Sequence, residues 1–329
     1  MANNVWGRAM RAAVLGAGLA CMAAAGSEAG TLSIGHTTWV GYGPLYLARD
    51  LGYFKENGLT VDLPTNEEAS NSMAAEASGR MSGTANTVDE ILQYRSKDFC
   101  FKAVLALDES HGGDGVLAQS NMNSLEDVKG QQVALNEGSV SQFWFYYLLK
   151  KHNMSPSDVT IANMSADDAA AAFIAKRVPV AVSWEPNLTF ARTHNIGKVL
   201  IDSSSTPGVI IDVVQLSCDV IKNQADDVRA LVKGYYKALD YLVANPEKSY
   251  EIMAKGIGGY LAKPADFADA MKSVRFYTKD MNIDYFGTAE KPGQIADTIE
   301  IGSEIWGGLG KVKEKSDYAT VVDPQFVKQ

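Results

Sequence analysis

Two groups of residues in this chain have types and spacings suited to holding a small polar solute. The first is an aromatic and hydroxyl cluster, His36, Thr37, Thr38 and Trp39 with Tyr42, set among glycines in the stretch GHTTWVGYG. Glycine lets a backbone approach a ligand closely, and indole and phenol rings can wall it. The second is a set of carboxylates at the ends of apolar runs: Asp89 and Glu90 just after Thr87, Asp114 in HGGDG, Glu185 after Trp184 in VSWEPN, and Asp212 in VIIDVV. Carboxylates beside aromatic rings suit an ammonium or guanidinium group, through ion pairing and cation–π contact.

A further segment, EGSVSQF, places Glu137, Ser139, Ser141 and Gln142 at the opening of a helical pattern. Such an opening offers free backbone N–H groups and the positive end of the helix dipole, which make an anion seat. Each segment also has an ordinary structural use. Serine is a preferred N-cap, and acids near a helix start are favoured with no ligand present. His36 suits a satisfied, half-buried imidazole. Together the segments point to a solute with an amine at one end and an anionic group at the other. A zwitterion of taurine size, or a small amine or amide, fits better than nitrate. An amino-pyrimidine stacked on Trp39 or Trp184 is the aromatic alternative.

Positioning these residues is the task of alternating strands and helices. TLSIGH reads as a strand and PLYLARDLG as a helix, with Pro44 at its start and Gly52 past its end. LTVDLP, SGTAN, FKAVLAL and GVLAQ follow as strands, interleaved with helices near Asn71 to Ser78 and over TVDEILQYR. The pattern recurs with QQVAL, DVTIANM, PVAVSW and KVLI, then a long extended run VIIDVVQLSCDVI, and finally a mostly helical remainder. That order predicts an α/β fold with mainly parallel sheets in two lobes, the second inserted into the first through two crossing strands. Lobe one is expected over 26–117 and 212–329, and lobe two over 118–211. Solutes of such folds sit between lobes, at the carboxyl ends of strands.

The 329 residues are 46% hydrophobic and 21% charged, with a formal charge of −9. An acidic chain is a poor partner for nucleic acid. Residues 1–25 read as a signal peptide for the general secretory route: Arg8 and Arg11, an apolar stretch, then Ala23-Ala24-Ala25. The context of Cys21 argues against a lipid anchor. Cys100 and Cys218, both in apolar strand-like segments, read first as buried thiols, with a bridge the alternative in an oxidising compartment. The histidines and cysteines show no zinc-ligand spacing. No cofactor is called for. Ser139 and Ser141 lack the G-x-S-x-G context of a nucleophile, which argues against a hydrolase.

HTTWVGYGPLYLARDLGYFKENGLTVDL resembles the opening lobe of the periplasmic solute-binding proteins of nitrate, sulfonate, taurine and thiamine-precursor ABC importers. SLEDVKGQQVAL, NEGSVSQFWFYYLL, VSWEPN and RALVKGYYKALDYLVANPEKSYEIMAK resemble later segments of that family in order. The resemblance implies a two-lobed, type II-like periplasmic-binding-protein fold and a non-catalytic monomer in the periplasm. Such a protein delivers its solute to an inner-membrane ABC permease; a periplasmic sensor domain would present the same residues. The implied ligand set is Thr37, Thr38, Trp39, Tyr42, Thr87, Asp89, Asp114, Glu137, Ser139, Ser141, Gln142, Trp184, Glu185 and Asp212. One departure stands out: Gly83 takes the place of an aspartate usual in the family. The clustered cysteines of the precursor-synthesising enzymes on this fold are missing from the chain.

Overall fold

The computed structural model describes residues 29–66 and 68–329; the expected signal peptide and Cys21 lie outside the described residues. Eleven strands form two mixed sheets. The six-stranded sheet holds β1 (Gly30–His36), β2 (Leu59–Asp62), β3 (Gly83–Thr87), β4 (Phe101–Ser110), β10 (Ile211–Ser217) and β11 (Val274–Phe276), in the order β11-β4-β10-β3-β1-β2. The five-stranded sheet holds β5 (Asp114–Ala118), β6 (Gln132–Leu135), β7 (Thr160–Asn163), β8 (Val180–Trp184) and β9 (Lys198–Asp202), in the order β7-β6-β8-β5-β9.

The parallel pairs are β1 with β2 and β3, and β6 with β7 and β8. The strands that leave and re-enter each sheet run antiparallel: β10 against β3 and β4, and β5 against β8 and β9. This corrects the expectation of mainly parallel sheets. The sequence pattern sees the βα repeats, but a strand arriving from the other sheet carries no helix to force it parallel. The expected division at 117/118 falls inside β5, whose residues from Asp114 onward already pair in the five-stranded sheet.

Each sheet is covered on both faces. Leu32, Ile34, Val104 and Val214 bury against α1 (Gly43–Asp50) and the helices Ala225–Ala244 and Pro246–Ile257. On the other face Ala103, Ala106, Ile211 and Val213 meet α3 (Val88–Leu92) and the helix Ile295–Gly308. Between them in the chain, α2 (Ala69–Ala77) packs on β3. The five-stranded sheet buries Val116, Val133 and Val182 against α4 (Val140–Lys151), and Leu117, Ala134 and Ala181 against the helix Ala166–Ile174. The helix Ile295–Gly308 serves both lobes: Ile295 and Ile299 pack under the first sheet, while Trp306 packs with α4.

Cys100 and Cys218 form a disulfide, with Cα atoms 5.4 Å apart. This corrects the reading of both as buried thiols. They flank the paired ends of β4 and β10, where Ser217 opposes Phe101 and the Cys218 N–H donates to the Cys100 carbonyl at 3.0 Å. Antiparallel pairing between strands 118 residues apart brings them together, and neither local sequence announces it. Gly83 also has a physical reason: a Cβ there would lie 2.1 Å from the Gln215 carbonyl oxygen of β10. The aspartate usual in the family has no room.

Candidate functional site

A cavity of about 160 Å³ lies between the two sheets. Its walls come from the carboxyl ends of β1, β3, β6 and β8 and from the segments that cross between sheets. Thr37, Thr38, Trp39 and Tyr42 follow β1; Thr87 ends β3; Glu90, Gln93 and Tyr94 belong to α3 and the turn after it. Opposite stand Asn136 to Val140 after β6, Trp184 at the end of β8, Asp114 at the start of β5, and Ile210 and Asp212 on the return strand. An apolar cavity of roughly this size accommodates a benzene ring.

The glycines among the aromatics are required by packing. A Cβ at Gly41 would sit 2.2 Å from Asp108 Oδ2, so the turn after β1 can close on β4 only without a side chain there. That closure brings Trp39 Nε1 to donate to Asp108 Oδ1 at 3.0 Å, and the Tyr42 hydroxyl to donate to Asp212 Oδ1 at 2.5 Å. Asp108 and Asp212 face each other across the β4–β10 pair, where the register shifts between Asp212 and Val213. Such bulges re-aim side chains beside functional sites. His36 is buried with both ring nitrogens engaged, by the Thr37 carbonyl at 2.7 Å and the Tyr46 hydroxyl at 2.8 Å.

Five carboxyl groups crowd this region: Asp89, Glu90, Asp108, Asp114 and Asp212, none more than 8% exposed. Burial pushes Asp89, Asp108 and Asp114 up to about 7, and Glu90 to about 8. Asp212 is raised well above its ordinary value by burial and then by the neighbouring Asp108 charge. Burial, reinforced by Asp212, raises the Tyr42 hydroxyl too. The charges acting on these groups are mostly one another's. Among the described residues that line the cavity there is no lysine, arginine or histidine.

Of the sequence-derived set, the structure brings Thr37, Thr38, Trp39, Tyr42, Thr87, Asp114, Glu137, Ser139, Trp184 and Asp212 to the cavity wall. Four residues stand elsewhere. Asp89 points away and accepts from Trp306 Nε1 at 3.2 Å. Glu185 turns to the outer side, accepting from Arg192 at 2.7 Å and from the Thr189 N–H at 2.9 Å. Ser141 is buried in the first turn of α4, its N–H donating to Ser139 Oγ at 3.2 Å. Gln142 Oε1 accepts from the Gly138 N–H at 2.8 Å and from Lys311 Nζ at 3.0 Å.

The expected anion seat at the opening of α4 is already filled. The Val140 N–H donates to Glu90 Oε1 at 3.2 Å, Ser141 to Ser139 Oγ, and Gln142 and Phe143 to the Ser139 carbonyl. A carboxylate from the opposite sheet occupies the position a bound anion would take. Glu90 is thus a central side chain, which the sequence offered among the candidate carboxylates but the implied ligand set left out in favour of Asp89. Asp108 was missed as well; its signal is the acid pair Asp108-Glu109 closing the apolar run of β4. Gln93 adds a second link between sheets, donating to the Gly138 carbonyl at 2.9 Å.

The family model described as NMT1/THI5 like matches residues 39–249. The chain belongs to the NMT1/THI5-like family. A Brucella abortus (strain 2308) protein carrying a binding-protein name is 25% identical over 159 residues, 46% of this chain. The chain spans about half, 49%, of that relative's length. The Saccharomyces cerevisiae protein named 4-amino-5-hydroxymethyl-2-methylpyrimidine phosphate synthase THI11 is 26% identical over 224 residues, covering 63% of this chain and 65% of its own. Among solved structures, the periplasmic aliphatic sulphonate binding protein SsuA from Escherichia coli superposes with a TM-score of 0.74 at 16% identity, over 91% of this chain and 99% of that one. That likeness shows the fold: this NMT1/THI5-like chain has the two-lobed α/β architecture of periplasmic binding proteins. No helix among the described residues is long and apolar enough to cross a membrane.

Proposed function

We propose that this NMT1/THI5-like protein is the extracytoplasmic solute-binding component of an ABC importer. It captures a small amine- or amide-bearing solute between two closing lobes and hands it to an inner-membrane permease, acting as a monomer without chemistry of its own. The observation that carries this reading is the cavity itself. Its wall is shared between the two sheets, and the links across it, Glu90 to Val140 and Gln93 to Gly138, join groups that hinge bending would separate. The ligand residues are proposed as the ten that line the wall, with Glu90 added and Asp89, Ser141, Gln142 and Glu185 set aside. The names of the relatives divide between binding and synthesis; the binding reading is supported by a site without a nucleophile–base pair among its lining residues.

A thermal-shift screen of the mature chain tests this. A solute at about 100 times Kd stabilises by roughly 2.7 kcal/mol, a shift of several degrees. The expected result is a shift with a small nitrogen-bearing solute that is recovered chemically unchanged and a more compact particle in solution scattering. Turnover of the solute, or no shift with any small polar solute, refutes the proposal.

A further inference from the structure

We infer that the solute is held as a cation, with the Glu90 carboxylate as its main counter-charge, and that anions of the same size are excluded. This rests on the solute-binding reading above and adds a charge to it. A first observation is the composition of the wall. Glu68, Glu90, Asp114, Glu137 and Asp212 contribute acids, Trp39, Tyr42, Tyr94 and Trp184 contribute ring faces, and no basic side chain accompanies them among the described lining residues. Lys311 stands at the rim beside Gly138, where Glu137 is the one wall acid it feels: its Nζ donates to Gln142 Oε1 at 3.0 Å and lies 5.1 Å from the centre of the Trp306 ring.

The opening of α4 gives an independent second observation. This helix start would favour an anionic ligand, as would the start of α2, where Ala69 and Ser70 line the cavity; the acidic Glu68 stands at the N-cap of the second, and Glu90 occupies the first from the opposite sheet. An incoming anion would have to displace that carboxylate and then face Asp114 and Asp212. A cation meets the reverse situation, because Glu90 is anchored through one oxygen only and gives up its proton as the positive charge arrives beside it. It is also the most open of the buried acids, at 8% exposed against 0–4% for the other four. Asp212 is already committed to the Tyr42 hydroxyl.

The third observation concerns an unsatisfied group. The Trp184 indole N–H lines the same cavity, is buried, and makes no hydrogen bond within the protein. Buried donors of this kind are seldom left without a partner. A planar cation such as an amidinium or guanidinium, or an ammonium attached to a body with a neutral acceptor, would stack on the rings, face Glu90 and accept from Trp184.

Calorimetric titration with three probes of matched shape separates the possibilities: benzamidinium, its neutral isostere benzamide, and benzenesulfonate. Benzamidinium should bind roughly tenfold or more tightly than benzamide, since a charge-assisted bond to a desolvated carboxylate exceeds a neutral one. Benzenesulfonate should give no heat. Glu90→Gln, which keeps an acceptor for the Val140 N–H, should remove the preference for benzamidinium, weakening benzamidinium roughly tenfold more than benzamide. Equal or tighter binding of benzamide or benzenesulfonate, lost in Trp39→Ala, overturns the cation and keeps the solute-binding reading. A preference for benzamidinium that survives Glu90→Gln overturns the role of Glu90. Failure of all three probes to bind overturns the inference, and the thermal-shift screen then decides the broader reading alone.

Discussion

Glu90→Gln should change how stability responds to pH in the solute-free protein, and the size follows from the site. Burial raises the Glu90 carboxyl from 4.5 to about 8, and the charges of Asp89 and Asp114 add to it. Between those values the unfolded chain has released this proton while the folded chain keeps it. The folded state therefore binds more protons, and stability falls as pH rises across the window. At about 1.4 kcal/mol per pH unit, the full loss approaches about 5 kcal/mol by pH 8. Asp89 and Asp114 share the same burden, so removing one carboxyl should recover only part, on the order of 2–4 kcal/mol. For a chain of this size that is about 4–8 °C of midpoint. Scanning calorimetry of both proteins from about pH 5 to about pH 8.5 reads it directly. The midpoints should nearly coincide at the acid end, and the variant should be the more stable at the alkaline end. Parallel curves for the two proteins would refute the argument, because they would show that Glu90 titrates no differently folded than unfolded.

Other outcomes follow from the same geometry. Glu185→Gln should leave solute affinity unchanged, since Glu185 faces Arg192 and Thr189 rather than the cavity; a loss of affinity in titration would return it to the site. Trp39→Phe should cost about 1–3 kcal/mol by removing the donor to the buried Asp108 carboxylate, measured by urea denaturation. Gly41→Ala should cost about 1–3 kcal/mol or more, because its methyl would meet Asp108 at 2.2 Å; wild-type stability would show that the turn after β1 moves freely. Reducing Cys100–Cys218, which closes a loop of 118 residues, should cost about 2–5 kcal/mol, visible as a lower midpoint in reductant.

What the sequence disclosed and what it concealed divide along physical lines. The turn after β1 was legible because Trp39, Tyr42 and the glycines break the apolar pattern just where a strand gives way to a helix. The α/β class was legible from alternating periods. The adjacent acids Asp89 and Glu90 were not separable, because a short helix such as α3 sends neighbouring side chains in different directions and no local pattern fixes its rotation. One meets Trp306 and the other the cavity. The opening of α4 looked like an anion seat because its occupant comes from 50 residues earlier in the chain, on the other sheet. Glu185 looked like a ligand residue beside Trp184, yet adjacent residues at a strand end face opposite ways. Asp108 and the disulfide depend on the pairing of β4 with β10, a contact between distant segments that composition and spacing do not encode.

The most direct test of the central claim is to identify what the protein carries when purified gently from the cells that make it. Native mass spectrometry would give the mass of the complex, and denaturation would release the solute for identification. The account predicts a small nitrogen-bearing molecule, positively charged at neutral pH and released unchanged. A sulfonate, nitrate or other anion seated in the same cavity would contradict it.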